Sequence, residues 1–238
     1  MLLKINKLKN KIQNRFYRLF GHSSFKKFII LGRSRTGSNL LVSFLSSHPN
    51  IICSTEIFGQ VKAFSEKESL SSFFCKKKSS IKAVGFKIFY YHPLDKPDSV
   101  IWDLLKNDNS ICVIHLTRND KLRSVVSREI ALKNKAWVQY SYKSNENTTP
   151  VRLDPLKTYN EISRTKNFEI NYREKFKNHD ILEITYEQLV KDRDNTLNSI
   201  FNFLEVKSIS VKTDMVKQNI SDTKNLVENY DEILKCLK

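Results

Sequence analysis

The chain is 238 residues long and carries 41 Lys and Arg residues against 25 Asp and Glu, which gives a net charge of +16. The length suffices for one domain with its own core, and 40% hydrophobic with 11% aromatic residues indicates a globular rather than a disordered protein. The positive charge favours anionic partners, and by itself it leaves nucleotides, nucleic acids, anionic lipids and acidic polysaccharides open.

The four cysteines argue against a structural zinc site and favour a reducing compartment. Cys53, Cys75, Cys112 and Cys236 are widely and irregularly spaced, and no CxxC pair or His/Cys cluster occurs. No stretch is long and apolar enough to span a membrane, and the N-terminus lacks the apolar region of a secretory signal. We therefore expect a cytoplasmic protein without a metal site.

The N-terminal segment differs in composition from the rest of the chain. Residues 1–27 contain eight Lys and Arg, and no acidic residue precedes Glu56. Within residues 1–22 the apolar side chains recur at helical spacing, which predicts a basic amphipathic helix. Such a helix suits the surface of an anionic bilayer, and the alternative is a helix packed on the domain with solvated lysines. We divide the chain into this arm, residues 1–27, and a domain, residues 28–238.

The stretch around Gly32 and Gly37 is the strongest local signal in the chain. An apolar, β-branched run from Phe28 ends at Gly32, two arginines and small polar residues follow, and helical apolar spacing begins near Leu40. This pattern predicts a buried strand, a tight loop and the start of a helix. Backbone N–H groups and the positive end of the helix then point at one spot, which favours a bound phosphate or sulfate.

The remaining elements alternate in the manner of an α/β protein. Strands are predicted at 51–53, 83–89, 111–116 and 181–185, and helices near 38–47, 97–107, 121–130, 159–178, 193–204 and 229–236. Residues 140–158 contain two of the five prolines and predict a long exposed loop. Strands that alternate with helices predict a parallel sheet with helices on both faces.

The loop departs from the P-loop of nucleotide triphosphatases. Gly32 and Gly37 have the separation of G-x-x-x-x-G-K-[ST], but Ser38 and Asn39 stand where the lysine and the hydroxyl residue would be. The two best downstream strands end in Thr117-Arg118 and Thr185-Tyr186, so neither supplies an aspartate for magnesium. A kinase or NTPase is disfavoured and is kept as an alternative.

Several segments resemble sulfotransferases that use 3′-phosphoadenosine 5′-phosphosulfate (PAPS). The run from Arg35 to Leu41 is similar to their 5′-phosphosulfate loop, and 47–59 continues the likeness. His115-Leu116-Thr117-Arg118 and the helix that carries Ser127 resemble their 3′-phosphate segment, and 184–204 is similar to a later one. The resemblance is closest to the bacterial glycolipid, nodulation-factor and trehalose type.

The resemblance implies a three-layer, P-loop-like fold with a central parallel sheet, PAPS as the donor and 3′,5′-ADP as the product, without a metal. Ser127 lies nine residues after Arg118, whereas eight is common, so Ser124 is the alternative for the 3′-phosphate. The residues that the resemblance places at the donor are Arg33, Ser34, Arg35, Thr36, Gly37, Ser38, Asn39, Arg118, Ser127 and Lys217.

The acceptor hydroxyl needs a general base, for which Glu56 is the leading candidate. It follows the second strand, and the resemblance places the catalytic carboxylate there. His92 and His115 are alternatives, although His115 lies within the best buried strand and fits a core position. Lys87 interrupts an apolar strand, where it either stabilises the leaving oxygen or extends to the surface. With Arg35, these residues form the predicted catalytic set.

The acceptor itself is not encoded in a recognisable motif. The family resemblance favours a carbohydrate or glycolipid hydroxyl, and the basic arm, residues 1–22, suits a membrane-bound acceptor. The non-enzymatic alternative is a basic protein that binds membranes or nucleic acid. No nucleic-acid reading motif occurs outside the arm, so we expect no nucleic-acid partner.

Overall fold

The computed structural model describes residues 20–59, 65–96, 98–135, 149–215 and 221–238. Five strands form one sheet in the order β2-β3-β1-β4-β5, and every neighbouring pair is parallel. The strands are β1 Lys26–Gly32, β2 Ile51–Ser54, β3 Ala83–Phe89, β4 Ile111–Thr117 and β5 Ile181–Thr185. The parallel sheet predicted from the alternation of strands and helices is confirmed.

Helices connect the strands and cover the sheet. Their bounds are α1 Ser38–Ser46, α2 Glu66–Phe73, α3 Ile101–Lys106, α4 Lys121–Lys133, α5 Pro155–Lys175, α6 Tyr186–Lys191, α7 Arg193–Phe203 and α8 Tyr230–Leu237, with a 3₁₀ turn at Thr223–Leu226. Phe28 and Ile30 of β1 belong to the core that also contains side chains of α1 and α7. Ile29 and Leu31 belong to a second core with α3 and α5. Because β1 is buried on both faces, its sequence is continuously apolar.

The predicted end of the long loop is wrong. The long exposed loop was expected through residue 158, but α5 begins at Pro155, and Val151 and Leu153 are buried. The side chain of Asp154 caps the helix by accepting a hydrogen bond from the Lys157 backbone N–H, and proline at the first helical position needs no N–H partner. This capping pattern is visible in the sequence and was missed.

The start of the domain lies partly in the predicted arm. Strand β1 begins at Lys26, and the backbone of His22 pairs with that of Lys77 through hydrogen bonds of 3.0 and 2.9 Å. Residues 1–19, which carry most of the predicted amphipathic helix, lie outside the described residues. Among the helices that are described, none combines the length and the apolar character that a membrane crossing requires.

The strand order determines where a site can form. The chain runs from β1 to β2 and β3 on one side, and then crosses to β4 and β5 on the other. The connections after β1 and β4 therefore leave the same edge of the sheet in opposite directions. Ligands of open α/β sheets bind at such a point, outside the carboxyl ends of the strands.

Candidate functional site

The connection between β1 and α1 is a tightly wound loop. Arg35 and Gly37 both adopt positive φ angles, 69° and 83°. A Cβ atom at Gly37 would lie 2.6 Å from Cδ2 of Tyr186, so both the backbone angle and the space require glycine here. The hydroxyl of Thr36 donates to the Arg33 carbonyl at 2.7 Å, which closes the loop on itself. The first turn of α1 follows directly and presents its N–H groups at this edge of the sheet.

Two arginines that follow β1 and β4, together with a serine of α4, form what we term the β1–β4 cluster: Arg35, Arg118 and Ser127. A terminal nitrogen of Arg118 donates to the Arg35 carbonyl at 3.0 Å, and Nε of Arg35 donates to Ser127 Oγ at 2.9 Å. The Arg118 guanidinium also lies 4.4 Å from the centre of the Tyr186 ring. The residues predicted from two separate motifs are thus in direct contact.

One buried donor of the β1–β4 cluster, Nε of Arg118, is unsatisfied among the described residues. Arg118 is buried, and its Nε has no hydrogen-bond partner among the described residues. Burial, followed by the charge of Arg118, lowers the pKa of Arg35 to about 10. A buried donor without a partner is costly, because desolvation is not compensated by a hydrogen bond. A bound oxyanion would satisfy the donor and reduce the repulsion between the two guanidinium groups.

Ser127 and Ser124, the two serines considered for the 3′-phosphate, have different environments in the structure. Ser127 is buried and accepts from Arg35, whereas the Ser124 hydroxyl lies 3.4 Å from the Asp120 carbonyl within its own helix. Ser127 therefore belongs to the cluster, and Ser124 does not contact it. The role of Tyr186, which packs beneath both Gly37 and Arg118, was not predicted from the sequence.

On the other side of β1, residues from β2, β3 and α1 form a second group, which we term the β2–β3 cluster: Glu56, Lys87, His92 and Asn39. Lys87 is almost completely buried, and its Nζ lies 3.0 Å from Glu56 Oε1 and also donates to Asn39 Oδ1. Burial lowers the pKa of Lys87, and the adjacent Glu56 opposes this shift. The Glu56 side chain remains 31% exposed, which leaves its carboxylate accessible from solvent.

The two histidines have different environments. His92 is buried, and its Nδ1 accepts a hydrogen bond from the Phe89 backbone N–H at 3.3 Å. Burial lowers the pKa of His92 to about 4, so the ring is neutral near pH 7. His115 is fully buried, and its Nε2 lies 2.7 Å from the Tyr90 hydroxyl, far from the cleft lining described next. His115 is therefore a core residue.

A cleft of about 1000 Å³ opens beside these groups. The predicted residues that line it are Arg33, Ser34, Arg35, Ser38, Asn39, Glu56, Lys87 and His92. Arg118 and Ser127 are not among the residues that line the cleft, while Lys217 is outside the described residues.

The opposite side of the cleft is formed by helices whose role the sequence did not reveal. Arg33 does not extend into open space: its guanidinium donates to the hydroxyl of Thr165 and to the carboxylate of Glu161 on α5. Arg164 and Phe168 of the same helix also line the cleft, together with Arg128 of α4. No motif marks these positions, because they come together only through the packing of α4 on α5.

A central parallel sheet with an oxyanion loop after its first strand defines the class of P-loop-like α/β proteins. Comparison with known proteins narrows this class. The sulfotransferase family matches residues 109–209, which include β4, Arg118 and Ser127. Nodulation protein H of Rhizobium tropici is 26% identical over 196 residues, with 74% of each chain covered. A sulfotransferase from Alicyclobacillus acidocaldarius has the same fold, with a TM-score of 0.53 and 16% identity over 88% of this chain and 91% of that one.

These findings support a sulfotransferase family for the chain and, with it, a transferase activity. The resemblance inferred from the motifs is therefore confirmed at the level of family, fold and class of enzyme.

Proposed function

We propose that the protein moves a sulfuryl group from PAPS to a hydroxyl of a carbohydrate or glycolipid acceptor. The observation that carries this proposal is the β1–β4 cluster, in which the buried Arg118 lies beside Arg35 and its Nε has no hydrogen-bond partner among the described residues. When bound, the donor supplies an activated sulfuryl group whose leaving group is 3′,5′-ADP.

The residues of the cluster fit the two anionic ends of such a donor. The loop from Arg35 to Asn39, with the first N–H groups of α1, would hold the 5′-phosphosulfate. Arg118 and Ser127 would hold the 3′-phosphate, for which the free Nε of Arg118 is a ready hydrogen-bond donor. A nucleotide triphosphatase would instead need a lysine at Ser38, which the chain lacks.

Glu56 would act as the general base. It is partly exposed at the cleft and can accept the proton of the acceptor hydroxyl as the new O–S bond forms and the S–O bond to the nucleotide breaks. His92 fits this role less well. Because its Nδ1 accepts from the Phe89 N–H, the neutral ring carries its proton on Nε2, where it can donate but not accept.

Lys87 is suited to stabilise charge near the leaving oxygen. Its ammonium group has three protons, of which Asn39 and Glu56 take two. The third is available to an oxygen in the cleft, and in a buried site such a contact is stronger than in water. Sulfuryl transfer depends mainly on positioning and charge stabilisation, as phosphoryl transfer does.

For localisation we propose a cytoplasmic protein whose basic arm, residues 1–22, associates with anionic membranes. Eight Lys and Arg within residues 1–27 support the proposal. If deletion of residues 2–19 left binding to phosphatidylserine vesicles unaltered, the arm would have no such role.

Thermal unfolding in the presence of different ligands tests the proposed function. We expect 3′,5′-ADP to raise the melting temperature, because a ligand that binds only the folded state stabilises it. A larger shift with ATP and magnesium would favour a kinase or NTPase, and a shift only with an oligonucleotide or anionic vesicles would favour the non-enzymatic alternative.

A further inference from the structure

The wall of the cleft opposite Glu56 carries more positive charge than its own residues neutralise. We define the α4–α5 wall by Arg128 on α4 and by Glu161, Arg164 and Phe168 on α5. These α5 residues are spaced by three and four positions, so they lie on one face of the helix, and all of the wall residues line the cleft.

Three arginines gather around the single carboxylate of this wall. Arg33 and Arg128 both form ion pairs with Glu161, the latter at 3.1 Å. Burial alone would raise the pKa of Glu161, but the hydrogen bond from Arg33 and the charges of Arg33, Arg128 and Arg164 hold it below its usual value. Glu161 is thus ionised near pH 7 and balances only one of three positive charges.

Arg164 is the member of this group with no carboxylate in contact among the described residues. Its guanidinium lies 5.2 Å from the centre of the Phe168 ring, a cation–π contact that orients the group and leaves its N–H donors unused. Arg164 is an exposed residue, so a solute can reach it from the cleft. A planar guanidinium with free donors beside an aromatic face is well suited to bind an oxyanion on a sugar.

Arg128 and Arg164 are not among the groups assigned to the donor, although Arg35, Ser38 and Asn39 of the donor loop line the same cleft. Arg128 and Arg164 line it from α4 and α5, whereas Arg118 and Ser127 do not line it. We propose that the acceptor is an acidic carbohydrate, and that Arg164 with Arg128 binds its carboxylate, sulfate or phosphate group. This inference rests on the proposed sulfotransferase function. A neutral glycan would leave the surplus charge of the α4–α5 wall without a partner.

The test compares two tetrasaccharides that bind to the full-length protein saturated with 3′,5′-ADP. Hyaluronan tetrasaccharide carries glucuronate carboxylates, and tetra-N-acetylchitotetraose is an uncharged relative built from N-acetylglucosamine alone. By calorimetry we expect the acidic tetrasaccharide to bind at least about tenfold more tightly, which is the effect of one charge-assisted hydrogen bond. Competition with glucosamine sulfate and with glucosamine phosphate then identifies which oxyanion the site prefers.

Arg164→Gln should abolish this preference without changing the affinity for 3′,5′-ADP. Arg152→Gln is the matched control, because it removes the same charge from an exposed arginine that pairs with Glu232. A preference that survives in Arg164→Gln, or that falls equally in Arg152→Gln, would overturn the proposal, as would equal or absent binding of both sugars. Failure of the wild type to bind 3′,5′-ADP would instead contradict the proposed function.

Discussion

The two clusters on either side of β1 differ in the charges that they bring together. In the β1–β4 cluster, the buried guanidinium of Arg118 donates to the backbone carbonyl of Arg35, and its Nε has no hydrogen-bond partner among the described residues. In the β2–β3 cluster, the ammonium group of Lys87 is paired with the carboxylate of Glu56. The β1–β4 cluster attracts an anion, whereas the β2–β3 cluster already contains one, the Glu56 carboxylate, which can exchange a proton. Under the proposed function, the first cluster would hold the donor and the second would activate the acceptor.

If the β2–β3 cluster performs the proton transfer, Glu56→Gln should have the largest effect on turnover. We expect kcat to fall by about 10²–10⁴-fold, the usual contribution of a general base, while the affinity for 3′,5′-ADP stays within about twofold. Transfer from a radiolabelled donor to a carbohydrate measures the rate, with the exposed Glu174→Gln as the control. Full activity of Glu56→Gln would place the base elsewhere.

Substitutions in the β1–β4 cluster should instead weaken the binding of 3′,5′-ADP. Arg118→Ala removes a charged donor to the 3′-phosphate, which we expect to cost about 1.5–3 kcal/mol of 3′,5′-ADP binding, or at least about tenfold in Kd. Arg118→Lys keeps the charge but not the forked geometry and should give an intermediate affinity. Arg193→Ala, at an exposed ion pair, serves as the control in calorimetry. An unchanged Kd in Arg118→Ala would remove this residue from the donor site.

The environment of His92 predicts a pH dependence that belongs to the β2–β3 cluster. Burial lowers the pKa of His92 from 6.5 to about 4, so the unfolded chain binds more protons between these values. The stability that neutral His92 contributes is therefore complete above pH 6.5 and is lost as the pH falls toward 4. At pH 5 we expect the free energy of unfolding to be lower by about 2 kcal/mol, because each pH unit between the two pKa values corresponds to about 1.36 kcal/mol.

Urea unfolding of the wild type and of His92→Asn at pH 7.5 and pH 5 measures this effect. Asparagine retains an acceptor for the Phe89 N–H but does not titrate, so the variant should lose about 2 kcal/mol less on acidification. An equal loss of stability in His92→Asn and the wild type would show that His92 does not titrate as inferred.

The smallest expected effect is a change in 3′,5′-ADP affinity that distinguishes two serines of α4. Ser127→Ala removes the hydroxyl that accepts from Arg35, and we expect a loss of about 1 kcal/mol, or roughly fivefold, in 3′,5′-ADP affinity. Ser124→Ala should leave the affinity unchanged, because that hydroxyl contacts only its own helix among the described residues. The reverse result would assign the 3′-phosphate to Ser124.

The sequence predicted the parts of the fold and site that depend on residues close together in the chain. Residues 28–31 of β1 and 111–114 of β4 are continuously apolar because both faces of the sheet are covered, and the glycine loop requires positive φ at Gly37. The start of α5 at Pro155 was also encoded, through the Asp154 cap, but the proline was interpreted as part of a loop.

The remainder of the site could not be predicted, because it arises from packing between distant segments. Arg33 was expected at the donor by resemblance, yet its guanidinium bonds to α5, which lies more than a hundred residues away. Glu161, Arg164 and Phe168 carry no motif and reach the cleft only because α5 crosses the carboxyl edge of the sheet. Charge balance within a cleft is a property of the folded chain and is not visible along the sequence.

The most direct test of the donor half is the affinity of the wild type for 3′,5′-ADP compared with 5′-AMP, measured by calorimetry at one salt concentration. The two nucleotides differ by the 3′-phosphate, for which Arg118 supplies an unused buried donor. We predict that 3′,5′-ADP binds at least about tenfold more tightly, the value of one charged hydrogen bond. Equal affinities would contradict the assignment of the β1–β4 cluster to the donor.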